Sequence, residues 1–132
     1  MTSKITYLGA LRTSCEHLQS GNTIITDAPT DNHGKGEAFS PTDLVATSLG
    51  SCMISIMAIK SKDLDVDLVD STIEITKIMQ AEPRKISKII VALFLTNTSE
   101  KNKIILERAA MTCPVFLSLH PDIEKDVTFH WK

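Results

Sequence analysis

The chain has 132 residues, 42% of them hydrophobic, and a formal net charge of −2 with acids and bases interleaved. That is enough for one domain, residues 1–132, with one core, and it excludes a disordered chain. The lack of a basic block and the 5% aromatic content argue against nucleic-acid binding. The start, MTSKITYLGA, has no long apolar core and is not read as a signal peptide. Three cysteines without an export signal point to a reducing cytoplasm. There a cysteine pair serves catalysis, redox sensing or metal binding rather than a structural disulfide.

In chain order, Lys4 to Leu8 reads as a strand closed by Gly9-Ala10. Arg12 to Leu18 reads as a second strand before the Ser20-Gly21 turn, and Asn22 to Asp27 as a third. Ala28 to Phe39 is a polar loop carrying His33, Lys35 and Glu37; a loop of that length in a small domain is often functional. A helix then starts at Ser40-Pro41-Thr42-Asp43. Ser40 is the cap, Pro41 suits the first helical position, and Asp43 completes a capping box. From Leu44 to Ile59 no charge occurs. The run is interrupted by Thr47, Ser48, Gly50, Ser51 and Ser55, so it reads as a buried helix of a soluble protein, with no membrane span expected.

The alternating acids of Asp63-Leu64-Asp65-Val66-Asp67 predict that a strand begins there or shortly after. Ser71 to Met79 and Ile86 to Leu95 read as a long hairpin around Glu82-Pro83-Arg84. Thr98 or Ser99 caps a second helix, Glu100 to Met111, which must stop near Cys113 because Pro114 follows. A short helical turn, Val115 to His120, and a last strand, Val127 to Trp131, complete the order βββαββααβ. This is an α+β fold of antiparallel sheets around two central helices. A single sheet layer leaves one side of so apolar a central helix bare, which predicts a homodimer in which two such helices cover each other.

Ser48, Ser51, Cys52 and Ser55 fall on one face of the central helix. A thiol there suits either a redox site or a small core hydrophobe. Cys113, at the break before Pro114, strengthens the redox reading: one thiol becomes a sulfenic acid and the second condenses with it. The attacking form is a thiolate. Cys52 lies about twelve residues, roughly 18 Å, from its helix start, too far for help from the dipole. It therefore needs a cation. Arg84 sits in a hairpin turn and Arg108 on a poorly matched helix face, which leaves Arg12. Lysines such as Lys35 hold an anion less rigidly. A carboxylate should orient the arginine. Glu37 is the first choice; Asp43 points away from Cys52 and is better explained by the capping box.

The segments Ser40-Pro41-Thr42-Asp43-Leu44, Gly50-Ser51-Cys52-Met53 and Thr112-Cys113-Pro114, set in this element order, resemble the OsmC/Ohr family. The resemblance covers nearly the whole chain. It implies a thiol-dependent peroxidase that reduces organic hydroperoxides in oxidative-stress defence, with a thiol or dithiol as reductant. It also implies a swapped, intertwined homodimer with two active sites at its interface, Cys52 as peroxidatic cysteine and Cys113 as resolving cysteine. Two departures stand out. Where the family has a glutamate ten residues before the first cysteine, this chain has Thr42, with Asp43 one residue off. Arg12 follows Gly9-Ala10-Leu11, near the family's glycine-rich arginine turn but in a different local sequence.

No cofactor or metal is expected. The candidate metal ligands, Cys52, Cys113 and His120 or Cys15 and His17, are scattered and include no CxxC pair. The alternative to an enzyme is a binding protein whose apolar helix interface holds a small lipid-like or thiol ligand, the cysteines being passive lining.

Overall fold

The computed structural model describes residues 1–132. The chain forms two compact units, Met1–Val45 and Ala46–Lys132. The elements follow the expected order βββαββααβ.

The first unit is a three-stranded antiparallel meander of β1 (Ser3–Gly9), β2 (Arg12–His17) and β3 (Thr23–Asp27). The β1–β2 turn takes Gly9, Ala10 and Leu11 through positive φ angles of 84°, 52° and 60°. The Leu11 N–H there donates to Tyr7 Oη at 3.3 Å. After β3 the loop doubles back: the Ala28 N–H donates to the Leu11 carbonyl at 3.0 Å, and the Gly36 N–H to the Ala28 carbonyl at 3.2 Å. Gly34 is required in this loop, since a Cβ there would lie 1.7 Å from the Ala28 carbonyl oxygen. The unit has almost no apolar core of its own. Ile5, Tyr7, Leu8, Ile24 and Ile25 are exposed, whereas its buried residues are Thr26, Asp27 and Ser40.

The long helix α1 (Pro41–Ser61) begins with the expected capping box. The Asp43 N–H donates to Ser40 Oγ at 3.0 Å, and the Ser40 N–H donates to Asp43 Oδ2 at 3.0 Å. In the second unit α1 contributes a single buried stripe at helical spacing, Ala46, Leu49, Gly50, Met53 and Met57. The sequence predicts burial on most sides, but within this chain Val45 and Ile59 stay exposed. By length and apolar content α1 could cross a membrane, yet its Leu49–Met53–Met57 stripe lies in the core cluster.

The core of the second unit joins that stripe to β4 (Thr72–Gln80), β5 (Lys85–Leu95), α2 (Glu100–Ala110), α3 (Pro114–Ser118) and β6 (Glu124–Trp131). Along β5 the inward residues Ile89, Val91, Leu93 and Leu95 alternate with less buried ones, the period of a pleated strand. Each fully buried side chain of this kind stabilises the fold by about 1.5–3 kcal/mol.

Three sequence expectations need correction. The second sheet, ordered β4-β5-β6, is mixed: β4 and β5 form the antiparallel hairpin, but β6 runs parallel to β5. The physical reason is the connection, because α2 and α3 fill the crossover that a parallel pair requires. The acidic link is not the start of a strand. Lys62–Leu64 forms a 3-10 turn, Asp65 is left-handed at φ 55°, and β4 begins at Thr72. Finally, β6 starts at Glu124, not Val127, because Lys88 pairs with Glu124 and extends the ladder.

Candidate active site

Two clusters of chemically competent side chains form, one in each unit. In the second unit Cys52 sits half-buried in the middle of α1, with Ser51 and Ser55 exposed beside it. Ser55 Oγ donates back to the Ser51 carbonyl at 2.8 Å, a local helix contact. Cys113 is fully buried. Pro114 fixes its geometry: the residue before a proline avoids the helical region, so α2 stops at Ala110 and Cys113 is extended at φ −66°, ψ 148°. In that position it caps α3, its Sγ accepting the Phe116 N–H at 3.3 Å.

Cys52 packs against the buried cluster that contains Cys113, near enough for its side chain to perturb the Cys113 thiol. Burial pushes the Cys113 thiol pKa up, and the Cys52 contact adds to the rise, while the Phe116 N–H pulls it back. Cys113 therefore keeps its proton to a higher pH than an ordinary thiol. The pair thus sets a partly buried cysteine beside a fully buried one.

The first unit holds an ion-pair cluster with a buried carboxylate. Arg12 lies directly opposite Asp27 in the β2–β3 ladder. Its Nε donates to Asp27 Oδ1 at 2.7 Å and its Nη2 to Asp27 Oδ2 at 2.9 Å, a two-point fork. Nη2 also donates to Glu37 Oε2 at 3.2 Å. Asp27 is 1% exposed and Glu37 side chain 66% exposed. The hydrogen bonds from Arg12 hold the Asp27 carboxyl below the usual range against the opposing effect of burial, with further help from the Glu37 backbone N–H and the Lys35 charge. The same partners raise the Arg12 pKa.

Of the residues singled out from sequence, the structure brings Arg12 to Glu37, and Cys52 to Cys113. Asp43 is taken up by the capping box, and Thr42 Oγ1 lies 3.2 Å from Ser40 Oγ. Asp27 is the residue that sequence reasoning missed. A signal for it existed: the hairpin pairing that sets His17 against Asn22 carries Arg12 opposite Asp27. Cys15 Sγ lies 3.7 Å from Thr13 Oγ1, and His17 Nδ1 lies 2.6 Å from Ser20 Oγ.

A family model for OsmC-like proteins matches residues 34–128. The chain belongs to the OsmC-like family. Its structure superposes with TM-score 0.95 on a protein of Psychrobacter arcticus 273-4 assigned to osmotic stress induction and detoxification response. The two sequences are 53% identical, over 98% of this chain and 96% of that one. An OsmC-like protein of Mycoplasma pneumoniae matches with TM-score 0.81 at 12% identity, over 98% and 94% of the two chains. The organic hydroperoxide resistance protein OsmC of Legionella pneumophila matches with TM-score 0.72 at 19% identity, over 98% and 97%. These last two likenesses are of fold. No curated protein matches this OsmC-like chain.

Proposed function

We propose that this OsmC-like protein is a thiol-dependent peroxidase for organic hydroperoxides, cycling through Cys52 and Cys113. A role in oxidative or osmotic stress defence is supported by family membership and by the 53%-identical relative assigned to stress and detoxification. The observation that supports the finer reading is a partly buried cysteine packed against the cluster that holds a fully buried one.

The Cys52 thiolate attacks one peroxide oxygen, the O–O bond breaks, and the alkoxide leaves as the alcohol after taking a proton. Cys52 is now a sulfenic acid, oxidised by two electrons. The protonated Cys113 thiol condenses with it, the S–O bond breaks, water leaves, and the Cys52–Cys113 disulfide forms. Two equivalents of a thiol, or one dithiol, reduce that disulfide by exchange and release their own disulfide. The thiolate and the departing alkoxide need a cation, and on this reading Arg12 has that role, with Glu37 as one of its partners. The cycle suits a reducing cytoplasm.

The working form is a homodimer on this reading. Ile5 and Tyr7 are each 64% exposed and Ile24 50%, on one face of the first sheet, and Ile59 of α1 is 66% exposed. Apolar surface of that extent marks an interface.

Stopped-flow consumption of an organic hydroperoxide tests the reading. One equivalent should remove two thiols per wild-type chain. Cys52→Ser should be inert, a loss of at least about 100-fold. Cys113→Ser should turn over once and then stall as a sulfenate. Wild type no faster than Cys52→Ser ends the proposal. A bound apolar molecule in the native mass spectrum would then favour a binding protein.

A further inference from the structure

Arg12 is held by two carboxylates, and they are unequal. Asp27 offers both oxygens to Nε and Nη2 at 2.7 and 2.9 Å, and is 1% exposed. Glu37 offers one oxygen to Nη2 at 3.2 Å, from a side chain that is 66% exposed. A two-point fork fixes both the position and the plane of a guanidinium; a single exposed contact fixes neither and is worth little in water. Asp27 is itself anchored on three sides. It sits in the ladder opposite Arg12, its N–H donates to the Phe39 carbonyl at 3.1 Å, and its Oδ2 accepts the Glu37 N–H at 3.0 Å. Glu37 thus hangs from Asp27 through its backbone, and its side chain shares Nη2 with Asp27, each carboxylate accepting from that nitrogen.

Burial points the same way. The guanidinium and its two carboxylates sum to −1, and the Lys35 charge that acts on Asp27 offsets this. The two carboxylates use only Nε and Nη2, so the Nη1 N–H groups are left to meet a thiolate or an alkoxide, and losing a carboxylate partner would add a further donor. The buried fork cannot open without leaving an unpaired carboxylate out of water, which is a large penalty. The exposed Glu37 oxygen can simply move into solvent.

We propose that Asp27 is the positioning residue that orients Arg12 for the thiol chemistry, and that Glu37 is the exposed partner Arg12 can lose with little effect. This rests on the peroxidase reading for its kinetic consequence, and on the first unit alone for its geometry. Asp27 acts through Arg12 and does not touch substrate.

The test compares Asp27→Asn, Glu37→Gln and Arg12→Lys in the full-length protein, by single-turnover oxidation of Cys52 with an organic hydroperoxide across pH. Asp27→Asn should lower kcat/KM by about tenfold or more and shift the rate–pH profile upward, because a turned guanidinium no longer favours the thiolate. Glu37→Gln should cost no more than about threefold. Lysine cannot form the fork, so adding Asp27→Asn to Arg12→Lys should cause little further loss. The proposal is overturned if Glu37→Gln costs as much as Asp27→Asn, or if the two effects at Arg12 and Asp27 multiply. It is equally overturned if Asp27→Asn lowers only the melting temperature while the rate–pH profile stays in place. Should Asp27→Asn fail to fold, the Arg12 Nε–H resonance decides on folded protein. Slow solvent exchange in both wild type and Glu37→Gln supports the fork; free exchange in wild type refutes it. That measurement holds even if wild type proves no faster than Cys52→Ser, a result that ends the peroxidase reading by itself.

Discussion

The two units of this OsmC-like chain are ordered by different forces. The second unit encloses a hydrophobic cluster in which Leu49, Met53, Ile89, Leu93 and Leu106 are wholly buried, with Cys113 in that cluster and Cys52 packed against it. The first unit buries hardly any apolar side chain; what it buries is Asp27, Thr26 and Ser40, held by hydrogen bonds and an ion pair. One unit therefore derives its order from packing and carries Cys52 and Cys113. The other buries an ion-paired carboxylate, and its large apolar side chains are exposed. The lesson is that a substitution should report through stability in the second unit, and through electrostatics or assembly in the first.

The largest effect should come from Leu93→Ala. Leu93 is 0% exposed at the centre of β5, so its truncation removes apolar contact and leaves a cavity. A loss of about 2–5 kcal/mol is expected from urea unfolding. A loss below about 1 kcal/mol would mean that the core is not the source of the second unit's order. Next in size is Ile5→Lys. In an isolated chain this exposed position would tolerate a lysine within about 0.5 kcal/mol. In the proposed dimer the same lysine displaces a covered residue. Sedimentation at micromolar concentration should then change from dimer to monomer, while far-ultraviolet dichroism persists. A variant that remains a dimer would place the interface elsewhere than on the Ile5–Tyr7 face.

Sequence periodicity gave access to the packed unit more readily than to the charged one, and the reasons are physical. The α1 start was readable because Ser40, Pro41 and Asp43 act within four residues of one another, and both capping-box hydrogen bonds form. Pro114 likewise announced the end of α2 and the special backbone of Cys113 through a purely local clash. The inward alternation of β5 follows from strand geometry. The direction of β6 was not readable, because parallel pairing depends on the route of a crossover and not on the strand's own residues. Asp27 was passed over for a related reason. Its role depends on register across a hairpin, whereas Glu37 attracted notice by lying in a polar loop. The acidic link misled because alternation of Asp with Leu and Val suits a strand, yet Asp65 adopts the left-handed region that aspartate tolerates better than most residues.

A smaller contrast concerns the helix caps. Ser99 Oγ accepts the Asn102 N–H at 3.2 Å at the start of α2, which carries the buried Leu106 and Ala110 into the core. Ser99→Ala should cost about 1 kcal/mol, read by thermal or urea unfolding. Hydroperoxide turnover per folded chain should be unchanged, since the cap is remote in sequence from both clusters. A fall in turnover without a fall in stability would show that α2 contributes to the chemistry.

The smallest effects are pH dependences, which separate the two units by sign. Asp27 has a lowered pKa, so the folded state favours its ionised form. The stability it contributes is present above its unfolded pKa of about 3.9, and is lost as pH falls through the still lower folded value. Cys113 has a raised pKa, so the folded state favours its protonated form. Its contribution is complete below an unfolded thiol pKa of about 8.5, and is lost as pH rises through the higher folded value. Many other groups titrate in both ranges, so each term is visible only as a difference from a variant. Asp27→Asn should flatten the acid limb of the unfolding free energy and leave the alkaline limb alone; Cys113→Ser should do the reverse. If both variants altered the same limb, the separation of a charge-ordered unit from a packing-ordered one would be wrong, whatever the protein's activity.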